Sequence, residues 1–111
     1  MPERIFDERE RGFEAHFAHE EEMRFRTLVR RDRLFAVWAA DRMKLGDPAR
    51  TEFYQGVLHV EGWPKHDEAL LRHVGDVLTQ ASVGLTAEEL SQNLYRCGEE
   101  SRRQLAGTKL A

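Results

Sequence analysis

The sequence predicts an all-α protein: a four-helix bundle preceded by a flexible, marginally helical N-terminal arm. Apolar residues recur at three-, four- and seven-residue steps through most of the chain. Sustained two-residue alternation is absent, as are Asn-Gly and Asp-Gly hairpin turns. Helix stop and start signals fall between the periodic stretches. The chain has 111 residues, of which 41% are hydrophobic and 33% charged. That balance suits one modest core under a heavily charged surface.

Residues 1–19 form the predicted arm. Phe6, Phe13 and Phe17 lie seven and four residues apart, so a helix would align them on one narrow face. Between them stand Asp7, Glu8, Arg9, Glu10, Arg11 and Glu14. Pairs such as Asp7 with Arg11 add only about 0.2–0.5 kcal/mol each. Gly12 costs roughly 1 kcal/mol relative to Ala inside a helix. An isolated arm is then marginally helical, and orders when a groove accepts its rings. The alternative is that Phe13 and Phe17 continue the next helix and cover the end of the bundle.

The bundle is predicted over residues 20–111. Its first helix, 20–45, places Leu28, Phe35, Trp38 and Leu45 on a buried stripe, flanked by Phe25 and Leu34, with Trp38 in the core. Gly46 is expected to end it in the left-handed conformation. Asp47 then caps the following helix, with Pro48 at its first position. That helix, 48–61, carries Phe53, Tyr54, Val57 and Leu58 as its apolar face and breaks at Gly62-Trp63-Pro64. A further helix, 65–81, carries Leu70, Leu71, Val74, Val77 and Leu78. The last begins at a capping box, Thr86-Ala87-Glu88-Glu89, and lines up Leu90, Leu94, Cys97 and Leu105. Short loops between amphipathic helices predict a bundle.

The net charge of −3 hides a segregation. Residues 1–22 hold three Arg against eight acids, a balance of −5, and residues 23–50 hold eight bases against three acids, a balance of +5. The acidic block can neutralise its basic neighbour, and the domain lacks the overall basic excess of a nucleic-acid binder. No apolar run approaches the roughly 20 residues that span a bilayer, so direct membrane insertion is not expected. The opening has no apolar signal core and Cys97 is the single cysteine, which together predict a cytoplasmic protein.

No catalytic or metal constellation is expected. His16 and His19 are three apart beside Glu20, and His66 and His73 are seven apart; both pairs read as solvated helix faces without a third ligand. Cys97 reads as a structural thiol on the apolar stripe.

The run Phe6-Asp7-Glu8-Arg9-Glu10-Arg11-Gly12-Phe13-Glu14-Ala15-His16-Phe17-Ala18-His19 resembles the opening of the alphaproteobacterial ATP synthase zeta subunit family. The likeness continues through Glu22-Met23-Arg24-Phe25, Arg30-Arg31-Asp32-Arg33-Leu34 and Trp38-Ala39-Ala40. It weakens over 46–66 and returns at Asp67-Glu68 and the capping-box helix, covering about three quarters of the chain.

The resemblance implies a regulatory inhibitor of the F-type ATP synthase catalytic head, not an enzyme. The arm would insert as a helix between alpha and beta subunits and block rotation and ATP hydrolysis. Phe6, Phe13 and Phe17 would anchor it, and Arg9 and Arg11 would pair with acidic groups on the partner. The protein would be a monomer when free, peripheral to the inner membrane through the synthase. Gly12 and His16 stand where many relatives have Ala and Lys, which lowers helix propensity and removes one charge.

The family is also associated with ADP or ATP binding. No Gly-Lys-Ser/Thr loop is present; an arginine cluster such as Arg30, Arg31 and Arg33 could meet phosphates, but surface solvation explains the same residues, so no site is assigned and no cofactor is required. A helical adaptor or scaffold bundle without inhibitory activity, its arm a fifth helix, is the competing reading of the residues.

Overall fold

The computed structural model describes the backbone of residues 2–110 and the side chains of residues 10–107. Four helices follow one another: α1 (Pro2–Arg42), α2 (Ala49–Leu58), α3 (His66–Gln80) and α4 (Ala87–Leu110), with no strand among the described residues. At about 1.5 Å per residue the 41-residue α1 is roughly 60 Å long, which accounts for most of the 68 Å long dimension of the molecule.

The core gathers one stripe from each helix. Phe35, Ala39 and Ala40 of α1 meet Phe53 and Val57 of α2, Leu70, Val74 and Leu78 of α3, and Leu90 and Leu94 of α4. The α1 stripe uses small residues at 36, 39 and 40, which lets the other helices close on it. Among the described residues, none of α1 before Arg31 is buried. Only the C-terminal part of α1 belongs to the core. The rest leads out of it.

α4 returns along α1, its main packing partner. Ser101, fully buried, donates its hydroxyl to the Thr27 carbonyl at 2.7 Å, and Arg30 donates to Gln104 at 3.0 Å. Gly98 lies beneath the Arg31 side chain, so the two helices approach closely at this level.

Local chemistry sets the boundaries, in part differently from the sequence reading. The capping box at Thr86 is formed: the Glu89 N–H donates to Thr86 Oγ1 at 3.1 Å, and the Thr86 N–H donates to Glu89 Oε1 at 3.2 Å. α1 instead ends before Gly46. Lys44 takes the left-handed conformation at φ 55°, while the Leu45 N–H reaches the Ala40 carbonyl and the Lys44 N–H the Asp41 carbonyl. Those two bonds define a Schellman ending. α3 ends the same way at Ser82, φ 61°, with Val83 bonded to Leu78 and Ser82 to Thr79.

Asp47 does not cap α2. Its carboxylate accepts from the Thr51 hydroxyl at 2.6 Å, and Pro48 itself occupies the cap position.

Two face assignments change as well. Leu58 is 79% exposed at the end of α2, outside the core. Trp38 is only partly buried: its ring stacks on Phe35 at 5.5 Å and 14°, and Phe35 is the side chain wholly enclosed. The small residues around it give the enclosed place to the smaller ring.

Candidate functional site

The segment that leaves the bundle presents its apolar side chains to solvent. Phe13 and Phe17 are 72% and 54% exposed, and Phe25 is 66% exposed. From Phe13 the register runs by steps of four and seven through Phe17, Arg24, Arg31 and Phe35. These positions share one helix face. The stripe that buries Phe35 and Arg31 among α3 and α4 therefore runs on through Phe17 and Phe13, where among the described residues its side chains are exposed. The two rings do not cover the end of the bundle, although the helix is continuous.

Around the boundary of the acidic and basic blocks, charges pair within α1. His16 meets Glu20 at 3.0 Å, Arg24 pairs with Glu21 and lies 4.0 Å from Glu20, and Arg26 bonds Glu22 at 2.7 Å. The acidic block and the basic block thus neutralise one another at their boundary. These exposed pairs contribute only a few tenths of a kcal/mol each. The described segment from Glu10 to Glu22 holds its helix by backbone bonds and such pairs, without tertiary burial. Arg11 is exposed on it. Phe6 and Arg9 lie outside the residues whose side chains are described.

The base of this segment is pinned by a polar cluster. Arg31, 9% exposed, donates through Nη2 and Nη1 to Asp67 at 2.7 and 3.3 Å, and through Nε to Asp32 at 2.9 Å. Burial lowers the Arg31 pKa, but the bonds to Asp67 and Asp32 outweigh it and leave it raised. His66, the first residue of α3, sits between Asp32 Oδ2 at 2.5 Å and the Glu61 carbonyl at 2.8 Å. The cluster ties α1 to α3 just beyond the point where the exposed stripe begins.

The three arginines considered for phosphate do not converge. Arg31 is spent on two carboxylates, while Arg30, which bonds Gln104, and the exposed Arg33 line a different groove with Arg26 and Leu105. His66 is not on a solvated face with His73, as the spacing suggested, because Asp32 claims its ring. Burial pushes the Cys97 thiol pKa up, opposite to what a nucleophile needs. Among the described residues no group of three His, Cys, Asp or Glu side chains could hold a metal, and no helix is long and apolar enough to cross a membrane.

Spacing on α1 located the exposed rings. It did not disclose Asp32, His66 and Asp67 as partners, since their contacts join residues 34 to 36 positions apart.

A closed helical core, with the N-terminal segment of α1 leaving it and exposing its rings, has the architecture of an interaction protein. The sequence pattern of the ATPase inhibitor subunit zeta family matches residues 3–104, and the chain belongs to that family. Its members are described as inhibitor subunits, a regulatory rather than a catalytic class. No curated protein and no solved structure matches the chain.

Proposed function

We propose that this protein inhibits the catalytic head of the F-type ATP synthase through residues 1–19. The arm enters a catalytic interface between alpha and beta subunits as a helix and blocks rotation and ATP hydrolysis. Phe6, Phe13 and Phe17 anchor it, and Arg9 and Arg11 face acidic groups of the partner. The bundle over 20–111 holds the arm at its base, and the free protein is a monomer. It acts on the cytoplasmic side, peripheral to the inner membrane.

The observation that carries this reading is the unpartnered stripe. Phe13 and Phe17 lie on the continuation of the face that α1 buries in its own bundle. A groove on another protein that accepts this face gains the burial the bundle leaves unused, about 25 cal/mol per Å² of apolar surface. Family membership supplies the kind of partner.

Affinity capture from a native lysate tests it. The tagged chain is expected to retain alpha and beta subunits, and the Phe13→Ala/Phe17→Ala double variant to lose them. Equal retention by the two forms would assign binding to the bundle and leave the arm without an anchoring role.

A further inference from the structure

The turn between α2 and α3 is fastened by one side chain. His66 Nδ1 lies 2.8 Å from the Glu61 carbonyl within the turn, and His66 Nε2 lies 2.5 Å from Asp32 Oδ2 on α1. Both partners are acceptors. A neutral imidazole has one N–H and one lone pair, so it satisfies one of them and sets a lone pair against the other. Only the imidazolium donates to both.

The surroundings favour that charged form. From α1 the ring meets Asp32, whose other oxygen accepts from Arg31, and Arg33 lines the same groove. From α3 the neighbouring Asp67 contributes negative charge, though it also binds Arg31. From α2 the groove brings Tyr54, and the turn supplies the Glu61 carbonyl and the indole of Trp63. The Trp63 ring stands 5.5 Å from the imidazole at 43°. Burial disfavours the charged ring, but the Asp32 bond, the Glu61 carbonyl and the acidic charges outweigh it and raise the pKa above its ordinary value near 6.5.

We propose that His66 is a proton-operated latch that clamps the α2–α3 turn onto α1 and releases it when the proton leaves. The neutral ring keeps its N–H on the Asp32 carboxylate, the stronger acceptor, and turns its lone pair to the Glu61 carbonyl. The turn then parts from the ring and carries Trp63 with it. His66 and Asp32 also line an apolar groove of about 430 Å³ with Val29, Val57 and Leu58, so the latch governs one wall of that groove. Acidification tightens the α1–α2–α3 junction. Alkalinisation loosens it.

Trp63 supplies the readout, because a nearby imidazolium quenches indole emission. The full-length Trp38→Phe variant leaves Trp63 as the one indole and keeps a ring stacked on Phe35. Its emission is followed from about pH 5 to about pH 9, the range in which histidine titrates. A one-proton transition with a midpoint above 6.5 is expected, with emission rising as the proton leaves. Adding His66→Gln should abolish the transition, and adding Asp32→Asn should lower its midpoint by roughly 1 unit or more.

The His66 Cε1–H resonance of the unmodified protein gives a second reading that needs no substitution, and it should share the midpoint. A flat Trp63 signal, a transition unchanged by His66→Gln, or a His66 resonance titrating at or below 6.5 would overturn the latch.

Discussion

Ser101 and Thr27 meet where α4 closes on α1: the serine hydroxyl donates to the Thr27 carbonyl at 2.7 Å, and the serine side chain is wholly enclosed. From this contact toward the N-terminus, no described residue of the long helix is buried. Ser101→Ala is expected to cost about 1 kcal/mol, the net worth of one buried hydrogen bond. Ser101→Leu should cost about 1–3 kcal/mol by forcing the helices apart. Urea unfolding of the two variants checks both. A neutral Ser101→Leu would show that the helices are not closely packed there.

Phe35, rather than Trp38, should be the aromatic the fold depends on. Phe35 is 0% exposed at the centre of the core, whereas Trp38 caps it and keeps one edge in solvent. Phe35→Ala should cost about 3–5 kcal/mol, and Trp38→Ala distinctly less. Denaturant midpoints of the two variants, in that order, test the assignment.

The helix ends carry correctable strain. Lys44 and Ser82 hold the left-handed conformation at φ 55° and 61°, where a side chain costs roughly 1–2 kcal/mol. Glycine takes that conformation without the cost. Lys44→Gly and Ser82→Gly should each raise the melting temperature by a few degrees, since about 1 kcal/mol moves it roughly 4–8 °C in a domain this size. A fall in either would mean that the residue makes a contact outweighing its backbone.

Stability should depend on pH through His66. Its folded pKa lies above the ordinary 6.5 expected when unfolded, so its contribution is complete below 6.5 and is lost as pH rises through the folded value. The melting gap between the parent protein and His66→Gln should therefore be widest in mild acid and close in alkali. A gap that widens with pH would reverse the sign of the account.

The parts of the fold that were legible in the sequence are those whose causes lie within a few residues. The Thr86–Glu89 box joins neighbours three apart, and the stripes through Val74 and Leu94 follow the helical period. The end of α1 was misplaced because Gly46 offers the customary glycine, while the chain turns two residues earlier on Lys44. The burial of Arg31 and the capture of His66 were beyond reach. Each depends on a carboxylate more than thirty positions away, which only the packing of α3 against α1 brings into contact. The arm stood out for the opposite reason: Phe13 and Phe17 have no local apolar partner, and the bundle leaves both exposed.

Gly12 should limit the strength of the arm. A Cβ there would meet nothing within 4 Å, so Gly12→Ala gains about 1 kcal/mol of helix propensity without a clash. If the arm binds as a helix, the variant should inhibit ATP hydrolysis about fivefold more tightly, because less ordering remains to be done on binding. Unchanged inhibition, with a measured rise in helicity, would mean that the bound arm is not helical at this position.

The most direct measurement is a titration of the purified cognate ATPase head, with ATP hydrolysis as the readout. The full-length protein and a form lacking residues 1–19 are compared; among the described residues every core side chain lies beyond Arg31, so the deletion removes none of those. The full-length protein should inhibit, Phe13→Ala and Phe17→Ala should each weaken inhibition by roughly tenfold or more, as buried aromatic anchors do, and the arm-deleted form should fail. Equal inhibition by the full-length and arm-deleted proteins would contradict the account.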